Sequence, residues 1–296
     1  MAANFWTPDR FRPDYCARVM NGPEQSPAVM AWWIVLSLVA FVNIGWWFAV
    51  ARRVAADPPC EESALEAQRH WRLTLSALFV LGCAFRSWLP RAEGQRICLL
   101  DTWWSNAMLG RSVATIAELA LAAQVSMVLG TAARAAGSPF AATVSRLLLP
   151  FIAVAELFSW YSALTTNFIG SVVEESIWAG CAALTGLALG ALRPRLRGAR
   201  RTLISAALIL SASYVAFMGT VDVPMYWRRW QADQTAGKVY LSLEEGRRDA
   251  QRRWVPTRRW EDWRQEIPWM SLYFSAGVWI SLALIRTPPA AKIPPA

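Results

Sequence analysis

Six charged side chains lie within or beside long apolar runs, and they are the residues of this sequence best suited to chemistry. They are Arg86, Arg111, Glu118, Glu156, Glu174 and Glu175. A charged side chain in the hydrocarbon of a membrane costs roughly several kcal/mol unless it meets an opposite charge, a proton or water. We therefore expect these residues to form a polar centre inside a membrane-spanning protein.

Arg86 and Glu118 are expected to lie at a similar depth in the membrane. Arg86 stands near the end of one apolar run and Glu118 about two helical turns into the next, so both fall roughly 5–10 Å below the same surface at ~1.5 Å per residue. The pair can be a structural link between two helices. Alternatively, Arg86 and Arg111 bind an anionic group of a substrate, because guanidinium suits bidentate contacts, and Glu118 orients Arg86.

Glu156 lies near the middle of an apolar run, where an unpaired carboxylate is hardest to accommodate. Ser159, Ala163 and Asn167 follow at intervals of 3, 7 and 11 residues, which places polar and small side chains on one helix face. Such residues are also common where helices pack together. A carboxyl group at this depth should be protonated, paired or in contact with water. We predict Glu156 and Glu118 as catalytic acid/base residues, with Ser159 and Asn167 binding substrate.

A further acidic group is predicted at the same membrane surface. Glu174 and Glu175 open one apolar run, and Asp222 ends another. As structural residues, the glutamates would complement a helix dipole and Asp222 would end a helix before Pro224. As metal ligands, all three offer oxygen and would favour Mg²⁺, Mn²⁺ or Ca²⁺ over zinc or copper. Trp104 and neighbouring aromatic residues could instead bind a quaternary ammonium group of a substrate.

Composition and motifs exclude several other kinds of site. The chain has one histidine, His70, and five scattered cysteines, which argues against bis-histidine haem, zinc and iron–sulfur centres. No lysine lies in an apolar run, so retinal is not expected, and glycine-rich nucleotide-binding motifs and GxSxG are absent. The net charge of +9 comes from loops between apolar runs, which favours membrane lipids over nucleic acid as partners.

Seven apolar runs would position these residues, and each is about long enough to cross a hydrocarbon core of ~30 Å as a helix. Their predicted bounds are 29–50, 73–89, 108–133, 142–165, 172–192, 202–221 and 269–285. The predicted fold is an all-α integral membrane protein, a bundle of about seven transmembrane helices. Its predicted segments are a polar N-terminus at 1–28, six helices at 29–222, an insertion at 223–267, a seventh helix at 268–286 and a disordered tail at 287–296.

The distribution of arginine predicts the orientation. The short loops after the first, third and fifth runs, and the tail, contain basic residues, while the loop after the fourth run has none. Because basic loops tend to stay in the cytoplasm, we expect the N-terminus outside and the C-terminus in the cytoplasm. The abundance of alanine and arginine is compatible with a bacterial inner membrane.

The segment 225–267 is rich in tryptophan and arginine, a composition typical of amphipathic helices that lie on a membrane surface. A long insertion between spans can also cover a cavity as a lid. A third interpretation is that the segment binds a partner protein.

These features support three functional hypotheses. In the first, an outward-facing polar cavity binds or modifies an amphiphilic substrate, such as a lipid or an isoprenoid. In the second, the protein is a proton- or cation-coupled transporter or channel with Glu156 as the titrating group. In the third, it is a non-catalytic subunit, sensor or assembly factor of a membrane complex, and its buried charges are structural.

Overall fold

The structure, a computed structural model, describes residues 26–57, 63–196, 198–251 and 255–286. Its helices are α1 (Pro27–Ala56), α2 (Ser63–Trp88), α3 (Ala107–Ala135), α4 (Pro139–Thr165), α5 (Phe168–Leu192), α6 (Ala199–Phe217), α7 (Val223–Thr235), α8 (Leu243–Ala250), α9 (Trp260–Trp263), α10 (Ile267–Leu272) and α11 (Val278–Ile285). Two π-helical turns, Met218–Asp222 and Tyr273–Gly277, join α6 to α7 and α10 to α11. The predicted tail and most of the predicted N-terminal segment lie outside the described residues.

Six helices are long and apolar enough to cross a membrane, which indicates a polytopic membrane protein. They are Pro27–Ala56, Ala107–Ala135, Pro139–Thr165, Phe168–Arg195, Arg200–Thr235 and Ile267–Ile285. Each overlaps one of the seven predicted runs. The all-α class is confirmed, because the strands in the described part of the chain are only two residues long.

The remaining predicted run, 73–89, coincides with the second part of α2, whose first turns carry charged residues. α2 lies antiparallel beside α1 along most of its length. Trp33 Nε1 donates to the Trp88 carbonyl (3.1 Å), and Trp47 Nε1 donates to the Leu73 carbonyl (3.3 Å). That α2 is a seventh span remains a prediction.

Two apolar clusters hold the bundle together, and α3 contributes to both. The first joins α1, α2, α10 and α11 and includes Phe79, Phe274 and Leu282. The second joins α3, α4 and α5 and includes Leu148 and Ile152. Because lipid tails are as apolar as these side chains, close packing rather than transfer from water favours helix association. α3 therefore connects the two halves of the bundle.

Polar caps fix the helix ends at one end of the bundle. The Asn106 side chain precedes α3 and accepts a hydrogen bond from Met108 N (2.8 Å). The Asn167 side chain does the same for α5, accepting from Ile169 N (3.1 Å). Thr166, with φ of 60°, reverses the chain between α4 and α5.

One side-chain position and one helix boundary near the site differ from the prediction. α4 ends at Thr165, as predicted, so Asn167 lies beyond the helix and caps α5 instead of extending the helix face that carries Glu156. α5 begins four residues before the predicted start at 172. Glu174 and Glu175 consequently lie six and seven residues after the first residue of α5, beyond the first turn, where acidic residues would complement the helix dipole.

The sequence also predicts a helix end at Asp222–Pro224, but the helix continues to Thr235. A proline inside a helix removes one hydrogen bond and clashes with the carbonyl four residues earlier. Here a π-helical turn ends immediately before α7, and Val223 N bonds to the Met218 carbonyl, five residues back. This wider turn accommodates the proline within a continuous helical path.

The segment after the long α6–α7 helix packs against the bundle through α8 and a small sheet. Strand β1 (Arg91–Ala92) pairs antiparallel with β2 (Ile97–Cys98), which pairs parallel with β3 (Val255–Pro256). Gly246 of α8 lies against Leu164 so closely that a Cβ atom at 246 would be 2.2 Å from the Leu164 carbonyl oxygen. The insertion therefore contacts the same end of the bundle as the β1–β2 hairpin.

Arg96 connects that hairpin to both α4 and α8. Its Nε is 2.8 Å from Asp249 Oδ2, and its Nη2 donates to the Leu164 carbonyl (3.0 Å). Burial lowers the pKa of Arg96, and the Asp249 carboxylate opposes that effect. The three elements thus form one layer over the end of the bundle.

Candidate functional site

The guanidinium group of Arg111 lies among four carboxyl groups. Its Nη2 is 2.8 Å from Glu118 Oε2 and 3.0 Å from Glu156 Oε2. Its Nη1 is 3.7 Å from Glu93 Oε2 and 3.8 Å from Glu174 Oε1. Arg111 itself is 5% exposed. One cation therefore joins α3, α4, α5 and the β1–β2 hairpin.

The periodicity of α3 aims three polar side chains at Glu156. Arg111, Thr115 and Glu118 are separated by four and three residues, so they share one helix face. Thr115 Oγ1 donates to Glu156 Oε2 (2.6 Å) and accepts from Trp160 Nε1 (3.1 Å). Thr115 of α3 thus holds Glu156 of α4, and Trp160 of α4 in turn holds Thr115.

Arg86 approaches Glu118 from α2, as the matching depths predict, but at a longer distance. Arg86 Nη1 is 3.8 Å from Glu118 Oε1. Its guanidinium carbon lies 5.8 Å from the ring centroid of Trp269 and 5.7 Å from that of Phe274. Cation–π contacts with two rings thus supplement a weak ion pair.

Arg91 extends the cluster into the β1–β2 hairpin. Its Nη1 donates to the Asn106 carbonyl (2.7 Å), and its Nε is 3.9 Å from Glu93 Oε1. A Cβ atom at Gly110 would lie 1.5 Å from the Arg91 guanidinium carbon, so only glycine leaves room there. Burial lowers the pKa of Arg91 to about 10, which leaves the group charged at neutral pH.

These contacts form one connected group of side chains, which we call the Arg111 network. Its members are Arg86, Arg91, Arg111, Glu93, Glu118, Glu156 and Glu174. Three guanidinium groups face four carboxyl groups, so full ionisation would leave one excess negative charge. All members except Glu93 are buried. An excess charge out of contact with water requires a proton or another cation.

The carboxyl groups of Glu118 and Glu156 are the part of the network best placed to hold this proton. Oxygens of the two groups lie within 4.8 Å of each other, and both groups contact Arg111 Nη2. Two buried carboxyl groups this close are more stable when one of them carries a proton. Among the described residues, no N–H or O–H group donates to Glu156 Oε1, which is buried.

A divalent cation is the other possibility that the geometry allows. Glu118, Glu156 and Glu174 each offer an oxygen, and these three oxygens lie within 4.8 Å of one another. Oxygen ligands suit Mg²⁺, Mn²⁺ or Ca²⁺. However, the Arg111 guanidinium contacts two of the same carboxyl groups at hydrogen-bonding distance. A metal ion would have to displace it.

Glu175 and Asp222, which the sequence groups with Glu174 as metal ligands, lie to one side of this cluster. Glu175 is half-buried and has both Glu174 and Asp222 as electrostatic neighbours. Asp222 is buried and faces Glu266 and Arg229. Of the three predicted ligands, only Glu174 contributes an oxygen to the group formed with Glu118 and Glu156.

The predicted substrate-binding residues other than arginine are dispersed. Ser159 is buried beside Glu174, at the edge of the Arg111 network. Asn167 is buried and caps α5. Trp104 is 56% exposed at the end of the bundle, outside the network.

Sequence reasoning misses three members of the site. The sequence could have indicated Thr115, because its spacing places it between Arg111 and Glu118 on one helix face. Arg91 and Glu93 lie in a polar link, where no periodicity indicates which residue turns inward. Only the tertiary packing of the hairpin on α3 brings those two side chains to Arg111.

A second buried polar group lies deeper in the bundle, between α2, α3 and α11. Ser281 Oγ donates to Gln124 Oε1 (2.7 Å) and lies 3.0 Å from Ser76 Oγ. Gln124 Nε2 donates to the Ser281 carbonyl (2.9 Å). All three residues are fully buried.

No family model, curated protein or solved structure matches this chain.

Proposed function

We propose that this multi-pass membrane protein is a proton-coupled transporter in which Glu118 and Glu156 share and exchange one proton. The observation that carries the proposal is the excess of carboxyl groups over guanidinium groups in the Arg111 network. A proton is the smallest cation that removes the excess charge. The adjacent carboxyl groups of Glu118 and Glu156 offer it two acceptors, and two buried carboxylates so close together cannot both ionise readily.

Loss of that proton would change the geometry of the network. The contacts of Arg111 with Glu93 and Glu174, at 3.7 and 3.8 Å, are longer than hydrogen bonds, whereas its other two contacts are not. A second negative charge beside Arg111 would draw the guanidinium towards Glu118 and Glu156. The long contacts of Arg111 with the hairpin and with α5 would then lengthen further, which would loosen these two elements at the site. Such a two-state element is what coupling between a proton and a solute requires.

The deeper polar group supports a path beyond the Arg111 network. Gln124 follows Glu118 by six residues on α3, which corresponds to about 9 Å along the helix. Gln124, Ser76 and Ser281 offer hydrogen-bonding groups at that depth. Polar groups in both halves of a membrane bundle are expected of a transporter, whereas a site confined to one surface does not need them.

The proposal is tested first by detecting the shared proton. We expect infrared difference spectra of the purified protein, recorded through a pH titration, to contain the C=O band of a buried protonated carboxyl group. Glu156→Gln should remove this band while the protein stays folded, because a glutamine amide can still accept from Thr115. The matched control is Glu261→Gln, which changes an exposed carboxylate in the surface segment.

The outcome separates the hypotheses. A band that is absent from Glu156→Gln and present in the control supports proton binding at the pair. Proton uptake into proteoliposomes under an imposed membrane potential should then also depend on Glu156. If wild type and Glu156→Gln give identical spectra, the network is a fixed structural link, and the non-catalytic subunit becomes the better interpretation.

A second candidate function is the modification of an amphiphile at a divalent cation. The observation that favours it is the set of three carboxyl oxygens within 4.8 Å. In that case Arg111 would leave the carboxyl groups and bind the anionic group of the substrate, as guanidinium groups do. Metal analysis of the purified protein distinguishes the two, because this candidate requires about one Mg²⁺, Mn²⁺ or Ca²⁺ per chain, lost in Glu174→Gln.

A further inference from the structure

A basic cleft lies at the end of the bundle opposite the Arg111 network, and we propose that it binds the phosphate headgroup of an anionic phospholipid. The cleft opens between α2, α3 and α4 and has a volume of about 240 Å³. It is lined by Gln68, Ser126, Met127, Gly130, Arg134, Ser145 and Arg146. Arg134 follows Arg111 by 23 residues on α3, which corresponds to ~34 Å along the helix. The two sites therefore lie near opposite membrane surfaces.

Two exposed guanidinium groups face this cleft. Arg134 and Arg146 are both exposed, and none of the ion pairs among the described residues involves either of them. Arg134 Nη2 is positioned by a hydrogen bond of 3.4 Å to Thr131 Oγ1. Two guanidinium groups from neighbouring helices are suited to the oxygens of one phosphate, since each can donate two parallel hydrogen bonds.

The floor of the cleft is open because residue 130 has no side chain. A Cβ atom at Gly130 would lie 3.1 Å from Ser145 Oγ and 3.5 Å from Arg134 Nη1. Gln68 forms the opposite wall. Its Oε1 accepts from Thr131 Oγ1 (3.3 Å), so its amide N–H groups remain available as donors. The cleft thus combines a charged rim, a neutral donor and space for a small anion.

The surroundings favour a lipid over a free phosphate. Phe140 and Leu147, on the same helix as Arg146, are 45% and 41% exposed, so the basic cleft borders an apolar surface suited to acyl chains. The same end of the bundle carries further exposed basic residues, namely Arg52, Arg53, Arg193, Arg195, Arg201 and Arg286. Basic pockets between helices on the positively charged side of a membrane protein are typical sites for anionic headgroups.

Native mass spectrometry of the delipidated protein tests the proposal. We expect wild type to retain one phosphatidylglycerol at concentrations where phosphatidylcholine does not bind. The double variant Arg134→Gln/Arg146→Gln should bind phosphatidylglycerol about 30-fold more weakly, because each basic residue near an anionic lipid contributes about 1 kcal/mol. The matched control, Arg52→Gln/Arg53→Gln, removes the same charge from the same end of the bundle but outside the cleft.

Gly130→Ala keeps every charge and narrows the floor, so weaker binding in this variant also supports the cleft. Thermal unfolding midpoints close to that of wild type must accompany both results. The proposal is overturned if the control variant loses as much affinity as the double variant, because the attraction is then diffuse. It is also overturned if phosphatidylcholine binds equally well, or if inorganic phosphate displaces the lipid completely.

Discussion

Arg111 forms its two short ion-pair contacts with carboxyl groups of two different helices, Glu118 of α3 and Glu156 of α4. Removing one partner of a buried ion pair destabilises a protein much more than the intact pair stabilises it. The reason is that the remaining charge stays buried, out of contact with water. Arg111 is the extreme case here, since four carboxyl groups depend on it. By contrast, within the described ranges Arg86 forms an ion pair with one carboxylate, at 3.8 Å, and contacts two aromatic rings.

We therefore predict that Arg111→Gln lowers the free energy of unfolding by about 3–5 kcal/mol. Arg86→Gln should cost clearly less. The measurement is thermal or denaturant unfolding of the detergent-solubilised protein, followed by tryptophan fluorescence. Arg111→Gln combined with Glu118→Gln should recover part of the loss, because the double variant contains one fewer unpaired carboxylate. Equal losses for the two arginine variants would contradict a central role for Arg111.

At this scale the sequence identifies most of the participants but not their pairing. Charges in apolar runs are conspicuous, so Glu118, Glu156 and Arg111 can be found without a structure. The sequence does not show which arginine contacts most of the carboxyl groups. The depth of a residue in the membrane does not determine how each helix is rotated about its own axis, and so which side chains face each other. In the structure Arg111 is the central arginine. One of its four carboxyl neighbours, Glu93, comes from a hairpin whose sequence has no periodic pattern.

The elements around the site differ in how far local sequence determines them. The long helices follow directly from apolar length, and their caps at Asn106 and Asn167 are local. The layer formed by the β1–β2 hairpin and α8 depends on contacts between distant segments. At one of these contacts Gly246 lies so near Leu164 that a Cβ atom at residue 246 would be 2.2 Å from the Leu164 carbonyl oxygen. Sequence patterns indicate amphipathic helices in that region but not the surface against which they pack.

We predict that Gly246→Ala loosens α8 from α4. The new Cβ atom would lie 2.2 Å from the Leu164 carbonyl oxygen, and neither backbone can move without separating the helices. Overpacking of this kind typically costs about 1–3 kcal/mol. We expect faster hydrogen exchange of residues 243–250 and earlier proteolysis in this segment, with little change in the spans.

The matched control is Gly180→Ala in α5, where no atom lies within 4 Å of the position that the new methyl group would take. Alanine is a better helix former than glycine, so this variant should be neutral or slightly stabilising. Unchanged exchange in α8 of Gly246→Ala would show that this contact does not hold the insertion to the bundle.

Across the whole molecule, charge is distributed unevenly between the two ends. One end carries the Arg111 network, the hairpin and the insertion, where basic and acidic residues are mixed. The other end carries exposed arginines at the ends of helices α1, α3, α5 and α6, which are Arg53, Arg134, Arg193 and Arg201. By the positive-inside rule this second end should face the cytoplasm. The network would then face outwards, as a transporter that takes up protons from outside requires.

Cysteine labelling tests this orientation. Because α2 lies antiparallel beside α1, we expect α2 to return the chain across the membrane, so that positions before and after α2 lie on opposite sides. In a variant without the five native cysteines, we predict that Trp103→Cys and Val239→Cys react with a membrane-impermeant maleimide in intact spheroplasts. Asp57→Cys and Arg201→Cys should react only after permeabilisation. All four native side chains are exposed. Labelling of positions 57 and 103 from the same side would show that α2 does not cross. Reversal of all four would place the Arg111 network at the cytoplasmic surface and the basic cleft outside.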